Sequence, residues 1–385
     1  VAGSVGKAGS SGTAGSGAAG GAPPNHRQLD LLFMIDDSSS MDTAQANLRA
    51  NMGSFMDVLK NLPGGLPDLH VAVVTSDMGA GDGSSIMGCS VYGDDGVFRS
   101  QPTASCVSTG LEAGATFIVD TGGANPVTNF GTQDITTVFQ CITGVGATGC
   151  GFEHQLASIA RALGADGASP PVENTGFLRP DAVLGIVILS NEDDCSGPTG
   201  TPLFDPTSSQ LASMYGPTEN FQCNEWGHLC VSPTTGLLVQ PSRFAPNNLA
   251  TDVVTYSPPG GPDNCQSFEA SPVLTSVGTF VDGIKNLKVD PDRQIVVAAI
   301  VGPAAEYTVT WQTAPTPDTG PWPKIRHSCG SDSAGAPSGF ADPAVRITQF
   351  VQQFGANGVY DSFCQTSYDF TLHAMATRLA QVLMQ

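Results

Sequence analysis

The sequence predicts an α/β fold, a doubly wound and mostly parallel sheet flanked by helices, with long disulfide-pinned loop insertions. Three observations lead there. Apolar runs at residues 31–35, 69–75, 182–189 and 294–300 have the nearly unbroken hydrophobicity of strands buried on both faces. Helical periodicity separates them, which is the alternation expected of βαβ units. The first three runs also stop at oxygen-bearing clusters, Asp36-Asp37-Ser38, Ser76-Asp77 and Ser190-Asn191-Glu192, where an open α/β sheet presents its ligand crevice.

Residues 1–27 are rich in Gly, Ala and Ser and cannot bury a core, so they read as a flexible tether or an assembly arm. Residues 28–385 read as a single domain. Its first strand runs into Asp36, with Ser38 and Ser40 following at every second position and a helical pattern beginning near Thr43. A helix cap requires one such residue. Three at alternate positions after a strand suit a hard divalent cation, which takes oxygen ligands and, for Mg²⁺, keeps several waters.

The helix over residues 43–62 has an apolar face of Leu48, Met52, Phe55, Met56 and Leu59, and Pro63-Gly64-Gly65 ends it. The strand at 69–75 follows. Residues 79–131 then read as a first insertion, a solvated loop pinned by a disulfide. Its Asp82, Asp94 and Asp95 are candidate Ca²⁺ ligands without EF-hand spacing. Helical patterns at 135–142 and 153–163 lead to the strongest strand, 182–189. A second insertion spans 195–270 and a third 302–342; between them lie a helix at 273–287 and the strand at 294–300. Helices at 345–354 and 370–384 close the chain, with Tyr360-Asp361-Ser362-Phe363-Cys364 between them.

Bulk composition narrows the function. The chain has 385 residues, 40 % hydrophobic and only 13 % charged, so a sizeable core is available; its 46 Gly and 28 Pro imply long surface loops. A net charge of −20 argues against nucleic acid, which requires basic patches. No apolar run reaches the roughly 20 residues of a membrane span. The ten cysteines are dispersed without a C-x-x-C pair, which points to disulfides in an oxidising, extracytoplasmic compartment. The shortest separations, Cys141 with Cys150 and Cys223 with Cys230, suggest small closed loops. The chain begins at Val1 rather than Met, which reads as a processed product or a fragment.

Asp36-x-Ser38-x-Ser40, with Met41 behind it and an apolar strand ahead, resembles the metal-ion-dependent adhesion site of von Willebrand factor A (VWA) domains. The Asn-Glu-Asp-Asp-Cys and Gly-Cys-Gly-Phe-Glu stretches resemble bacterial secreted or lipoprotein VWA-like proteins. The resemblance implies a doubly wound fold holding a divalent cation, Mg²⁺ first, with Ca²⁺ or Mn²⁺ as alternatives. It also implies two further loops at the site. One usually supplies a threonine; here Thr148 lies just before Gly149-Cys150-Gly151-Phe152-Glu153, and Glu153 is the oxygen donor in its place. The other usually supplies an aspartate after the central strand; here Asn191 stands there, followed by Glu192 and Asp193. The implied metal set is therefore Asp36, Ser38, Ser40, Glu153, Asn191, Glu192 and Asp193.

What the resemblance implies functionally is an extracytoplasmic adhesion module, secreted or a lipoprotein anchored upstream of Val1. Its open metal position takes an acidic side chain of a protein or cell-surface ligand. A structural subunit of an extracellular assembly, with self-association, is the alternative. A metal-dependent hydrolase using Asp36 with Glu192 or Asp193 has less support, because no nucleophile elbow, phosphate loop or metalloprotease helix is present. His154, beside Glu153, reads as a packing residue.

Overall fold

A computed structural model describes residues 27–385 apart from 82–87, 102–105, 107, 109, 199, 206, 209, 218–219, 257–264, 305–306, 315–319 and 331–338. Of the tether or arm expected at 1–27, residues 1–26 lie outside the described residues, as does the candidate ligand Asp82. In chain order the first half forms β1 (Gln28–Ile35), α1 (Asp42–Lys60), β2 (Asp68–Thr75), β3 (Ile118–Asp120), α2 (Ile135–Ile142), α3 (Gln155–Leu163) and β4 (Val183–Leu189). The second insertion carries α4 (Phe221–Gly227), β5 (His228–Val231), β6 (Leu238–Val239), β7 (Val253–Thr255) and β8 (Cys265–Ser267). Then come α5 (Val277–Lys285), α6 (Pro291–Gln294), β9 (Ile295–Val301), β10 (Thr308–Thr313), β11 (Pro321–Ile325), β12 (Cys329–Gly330), β13 (Phe340–Ala341), α7 (Val345–Gln352), β14 (Gly358–Ser362) and α8 (Asp369–Leu383).

The central sheet has the order β14-β9-β4-β1-β2-β3, parallel except for the antiparallel β3 edge. The chain builds outward from β1 to β3, then crosses back to β4 and builds outward the other way. Strand order therefore reverses between β1 and β4. Alternation along β1 serves two cores. Leu29, Leu31, Phe33 and Ile35 face α1, α2 and α8, where Phe33 meets Phe55 and Phe139 edge-on at 5.7 and 4.9 Å. Leu32 and Met34 face the other layer, where Leu156, Ile159, Phe280, Ile284, Ile347 and Phe350 of α3, α5 and α7 pack.

Several elements differ from the sequence expectation. Residues 360–362 belong to a sixth strand: β14 is short and mixed in polarity because it lies at the sheet edge, paired only with β9. The helix expected from 273 starts at Val277, because the Ser276 hydroxyl accepts the Thr279 N–H at 3.2 Å and caps it. The insertions are not featureless. β5, β6 and β8 form one small antiparallel sheet, and β7, β10 and β11 another. Strands of two to six residues leave too little periodicity to be read.

The disulfides join Cys89–Cys150, Cys106–Cys141, Cys195–Cys223, Cys230–Cys265 and Cys329–Cys364, and no cysteine is free. This corrects the short loops expected for 141/150 and 223/230. Cys223 packs with Cys195 in one apolar cluster, whereas Cys230 lies opposite Cys265 across the β5–β8 ladder. Five intact disulfides suit an oxidising compartment. Among the described residues, no helix is long and apolar enough to cross a membrane.

Arg346, fully buried on α7, ties this helix to the end of β4 and to the second insertion. Its guanidinium donates to Asp194 Oδ2 at 3.1 and 3.0 Å, to Ser267 Oγ and to the Thr275 carbonyl. Removing one partner of a buried, hydrogen-bonded ion pair strands the other charge. Arg346→Ala is expected to cost about 3–5 kcal/mol in denaturant unfolding. Combining it with Asp194→Ala should cost clearly less than the two single changes added together.

Candidate metal and ligand-binding site

The site lies where β1 and β4 end, at the reversal of strand order and at the carboxyl edge where open α/β sheets bind ligands. The Asp36 N–H donates to the Leu189 carbonyl at 3.0 Å, extending the ladder one residue past β1 and burying Asp36 completely. Its Oδ1 accepts the Ser38 N–H at 2.8 Å, and Oδ2 accepts the Ser190 hydroxyl at 2.7 Å. The Ser38 and Ser40 hydroxyls are 3.3 Å apart, and the Asn191 amide donates to Ser40 Oγ at 3.0 Å. The first and third loops thus meet as one hydrogen-bonded set.

The second loop brings in Glu153, which is 1 % exposed. The Ser76 hydroxyl, from the end of β2, donates to Glu153 Oε2, and the Glu153 carboxyl lies within hydrogen-bonding reach of Asp36. Glu153 Oε1 is buried without a hydrogen-bond partner. Thr148 is exposed.

Two glutamines, invisible as site residues in the sequence, hold the loops together. Gln45 on α1 donates to the Asp36 carbonyl at 3.0 Å and the Gly146 carbonyl at 2.6 Å, joining first and second loops. Gln155 on α3 donates to Ser190 Oγ at 2.8 Å and the Glu192 carbonyl at 3.1 Å, joining second and third. Ser76 and Ser190 were legible as polar strand ends; the glutamine amides carry no sequence signal, because only the fold turns them toward the loops.

The residues after Asn191 divide. Glu192 is half-buried, and its Oε2 accepts from the Asn220 amide at 2.8 Å. Asp193 is committed elsewhere: Oδ2 meets His228 Nε2 at 2.7 Å and the Arg346 N–H at 2.8 Å, and Oδ1 accepts the Ile347 N–H at 3.1 Å. These bonds anchor the start of α7, so Asp193 is not brought to the Asp36 cluster. Asp94 and Asp95, the candidate Ca²⁺ ligands, are paired instead with Arg99 at 2.8 Å and Arg161 at 3.1 Å. His154 is buried against the Phe204 ring, and that burial pulls its imidazole down to about 4, so it is neutral near pH 7.

The disulfides dock the insertions on these loops. Cys89–Cys150 ties the first insertion to the second loop, and Cys195–Cys223 ties the third loop to α4. Cys150, Phe152, Cys195, Leu203, Phe204 and Cys223 form a small apolar core of their own.

Acid is concentrated here. Burial, more than anything else, raises Asp36, and raises Glu153 and Glu192 well above the usual carboxylate range; the neighbouring carboxylates push both glutamates further. Asp37 is held up to about 8 by burial first, then by Asp36, Asp77 and Asp94. Its Oδ1 is buried without a partner, and a methyl group on Gly149 would lie 2.3 Å from it. Among the described residues, Asp36, Glu153 and Glu192 have no lysine or arginine as a hydrogen-bond partner.

The donors that meet are all oxygens, from Asp36, Ser38, Ser40, Asn191 and Glu153, which is the chemistry of Mg²⁺ or Ca²⁺ rather than of a soft metal. The orphaned Glu153 oxygen beside Asp36 fits a bound cation, since two buried carboxyls in contact require a proton or a cation between them. Among the described residues, no three His, Cys, Asp or Glu side chains converge as a metal cage. Hydroxyl and amide oxygens would have to complete the set.

No family model matches the chain, and no curated protein matches it. Solved structures similar to it include the pilus adhesin SpaC from Lactobacillus rhamnosus GG. In one form, identity is 10 % over 93 % of this chain and 31 % of that one, with a TM-score of 0.35. Its open conformation gives 10 %, 93 %, 30 % and 0.36. The pilus adhesin RrgA from Streptococcus pneumoniae gives 11 %, 92 %, 44 % and 0.32. The chain spans less than half the length of each of these proteins, and scores of this size carry no argument about its function.

The raised carboxyls set a pH dependence. Native Asp37 keeps up to about pH 8 a proton that the unfolded chain releases near 4. Over that window the native state binds more protons, so stability falls as pH rises. His154 acts oppositely between about 4 and 6.5, where the unfolded chain binds the extra proton. With a chelator present, stability should therefore fall from about pH 6.5 to 8, by at most about 1.4 kcal/mol per pH unit for each such carboxyl. Urea titrations across this range should show the slope reduced in Asp37→Asn.

Proposed function

We propose that this chain is an extracytoplasmic binding module of the VWA kind that recognises a protein or surface ligand through a divalent cation. The observation that carries the reading is the meeting of Asp36, Ser38, Ser40 and Asn191 with Glu153, whose buried oxygen lacks a partner, at the reversal of strand order. Asp36, Ser38, Ser40, Asn191 and Glu153 would hold the ion, Mg²⁺ first, with Ca²⁺ or Mn²⁺ as alternatives. A bound ion supplies a Lewis-acidic position that accepts a carboxylate of the ligand.

The chain's own residues orient and shield this position. Ser190 and the Ser38 N–H fix the Asp36 carboxylate, and Gln45 and Gln155 set the spacing of the three loops. The disulfide-tied insertions flank the site, where loops held by a rigid scaffold supply specificity. The five disulfides support the extracytoplasmic placement. Of the two carboxylate pairs that hydrolysis could use, Asp36 with Asp193 is not assembled, because Asp193 is held at the start of α7.

Calorimetric titration with MgCl2, CaCl2 and MnCl2 tests the reading. The native protein should show saturable binding of at least one ion, weakened at least tenfold in Asp36→Ala and Ser40→Ala. Equal heats for native protein and both variants would remove it. An ion bound only by the folded protein should also raise the unfolding midpoint, by about 2.7 kcal/mol of stability at a hundred times its Kd.

A further inference from the structure

Gln45 and Gln155 both bridge loops, but they use their amides differently. Gln45 Nε2 donates to two backbone carbonyls and its Oε1 accepts the Gly146 N–H at 3.2 Å, so the whole amide is spent on backbone. Gln155 Nε2 donates to Ser190 Oγ at 2.8 Å and to the Glu192 carbonyl at 3.1 Å, while its Oε1 is buried without a partner. An unpaired buried carbonyl is costly, so a glutamine held this way calls for a role that its N–H groups supply.

The polarity of the network follows from its obligatory members. The Glu192 carbonyl can only accept, which places Nε2 of Gln155, not Oε1, toward the third loop. One Nε2 hydrogen goes to that carbonyl and the other to Ser190 Oγ. The Glu192 N–H, which can only donate, also points at Ser190 Oγ, at 3.2 Å. Both acceptor positions of the Ser190 hydroxyl are thereby filled. Its single proton has two acceptors in reach, Asp36 Oδ2 at 2.7 Å and the Glu192 carbonyl at 2.9 Å. The carbonyl is already served by Gln155, and a carboxylate is the stronger acceptor, so the proton goes to Asp36. Gln155, Ser190 and Asp36 are all fully buried.

We infer that Gln155 is a positioning residue for the cation, acting through Ser190. By filling the acceptor side of the hydroxyl it commits the proton to Asp36 Oδ2, and with the Ser38 N–H on Oδ1 this fixes the plane of the carboxylate. The inference rests on the metal-dependent binding reading and adds to it a residue that touches neither ion nor ligand. Without the Gln155 amide, the Glu192 carbonyl is left short of a donor and draws the Ser190 proton away from Asp36. Groups that orient a metal's ligands are worth about 10–100-fold in metal affinity.

The test is calorimetry of MgCl2 and CaCl2 binding to the full chain, arranged as a double-mutant cycle. Gln155→Met, which keeps the volume and removes the amide, should weaken ion binding about tenfold, and Ser190→Ala at least as much. The double variant should bind no more than about twofold more weakly than Ser190→Ala alone, because the amide acts only through the hydroxyl. Ser190→Thr, which keeps the hydroxyl, should stay close to the native affinity. Gln45→Met is the control: it opens a loop bridge that does not touch Ser190, so its loss should multiply with that of Ser190→Ala. Thermal melts establish which variants fold, and Gln155→Leu replaces Gln155→Met if the latter does not. Losses that multiply between Gln155 and Ser190, native affinity in the folded Gln155 variant, or Ser190→Thr as weak as Ser190→Ala would overturn the inference while leaving the ion site in place. Absence of ion binding by the native protein would instead overturn the reading beneath it, and the inference with it.

Discussion

The parallel pairing of β1 with β4 is the constraint on which the rest depends. Among the described residues it is the only junction in the central sheet where the chain reverses its direction of growth, so the loops leaving the two strands diverge and open a crevice. The ladder continues one step into that crevice through the Asp36 N–H and the Leu189 carbonyl, and the Ser190 hydroxyl then closes on the Asp36 carboxylate. Backbone pairing thereby fixes the position of a carboxylate that burial alone would disfavour.

Around that junction the protein spends polar side chains on geometry. Arg346 and Asp194 neutralise one another under the third loop, Asp193 holds the start of α7, and Gln45 and Gln155 bridge loops distant in sequence. These groups are engaged, although Gln155 Oε1 is itself buried without a partner. Two carboxylate oxygens, Glu153 Oε1 and Asp37 Oδ1, are also unpartnered and lie at the crevice itself. Buried polar groups are normally paired, so orphaned carboxylate oxygens at a strand-order reversal mark a place prepared for something positive. The disulfides maintain this arrangement by fastening the insertions to the second and third loops rather than closing local loops.

Much of the fold was legible because its signals are strong and local. The four longest strands are nearly continuous apolar runs, and α1 repeats Leu48, Met52, Phe55, Met56 and Leu59 at helical spacing. β14 was not legible, since an edge strand paired on one side tolerates the polar mix of Gly358–Ser362. Nor were the small sheets of the insertions, whose strands are too short to show a period. In the site, Asp36, Ser38 and Ser40 stood out by spacing, Asn191 by its place at a polar strand end, and Glu153 only through resemblance.

The sequence by itself determined an α/β sheet, an oxygen-rich end to β1 and the chemistry of disulfides, because each depends on residue type and near-neighbour spacing. The tertiary structure decided which cysteines meet, that Asp193 serves α7, that Asp94 and Asp95 face arginines, and that Glu153 approaches Asp36. Those outcomes depend on contacts between segments far apart in the chain, and no local pattern encodes which distant partner a side chain will meet.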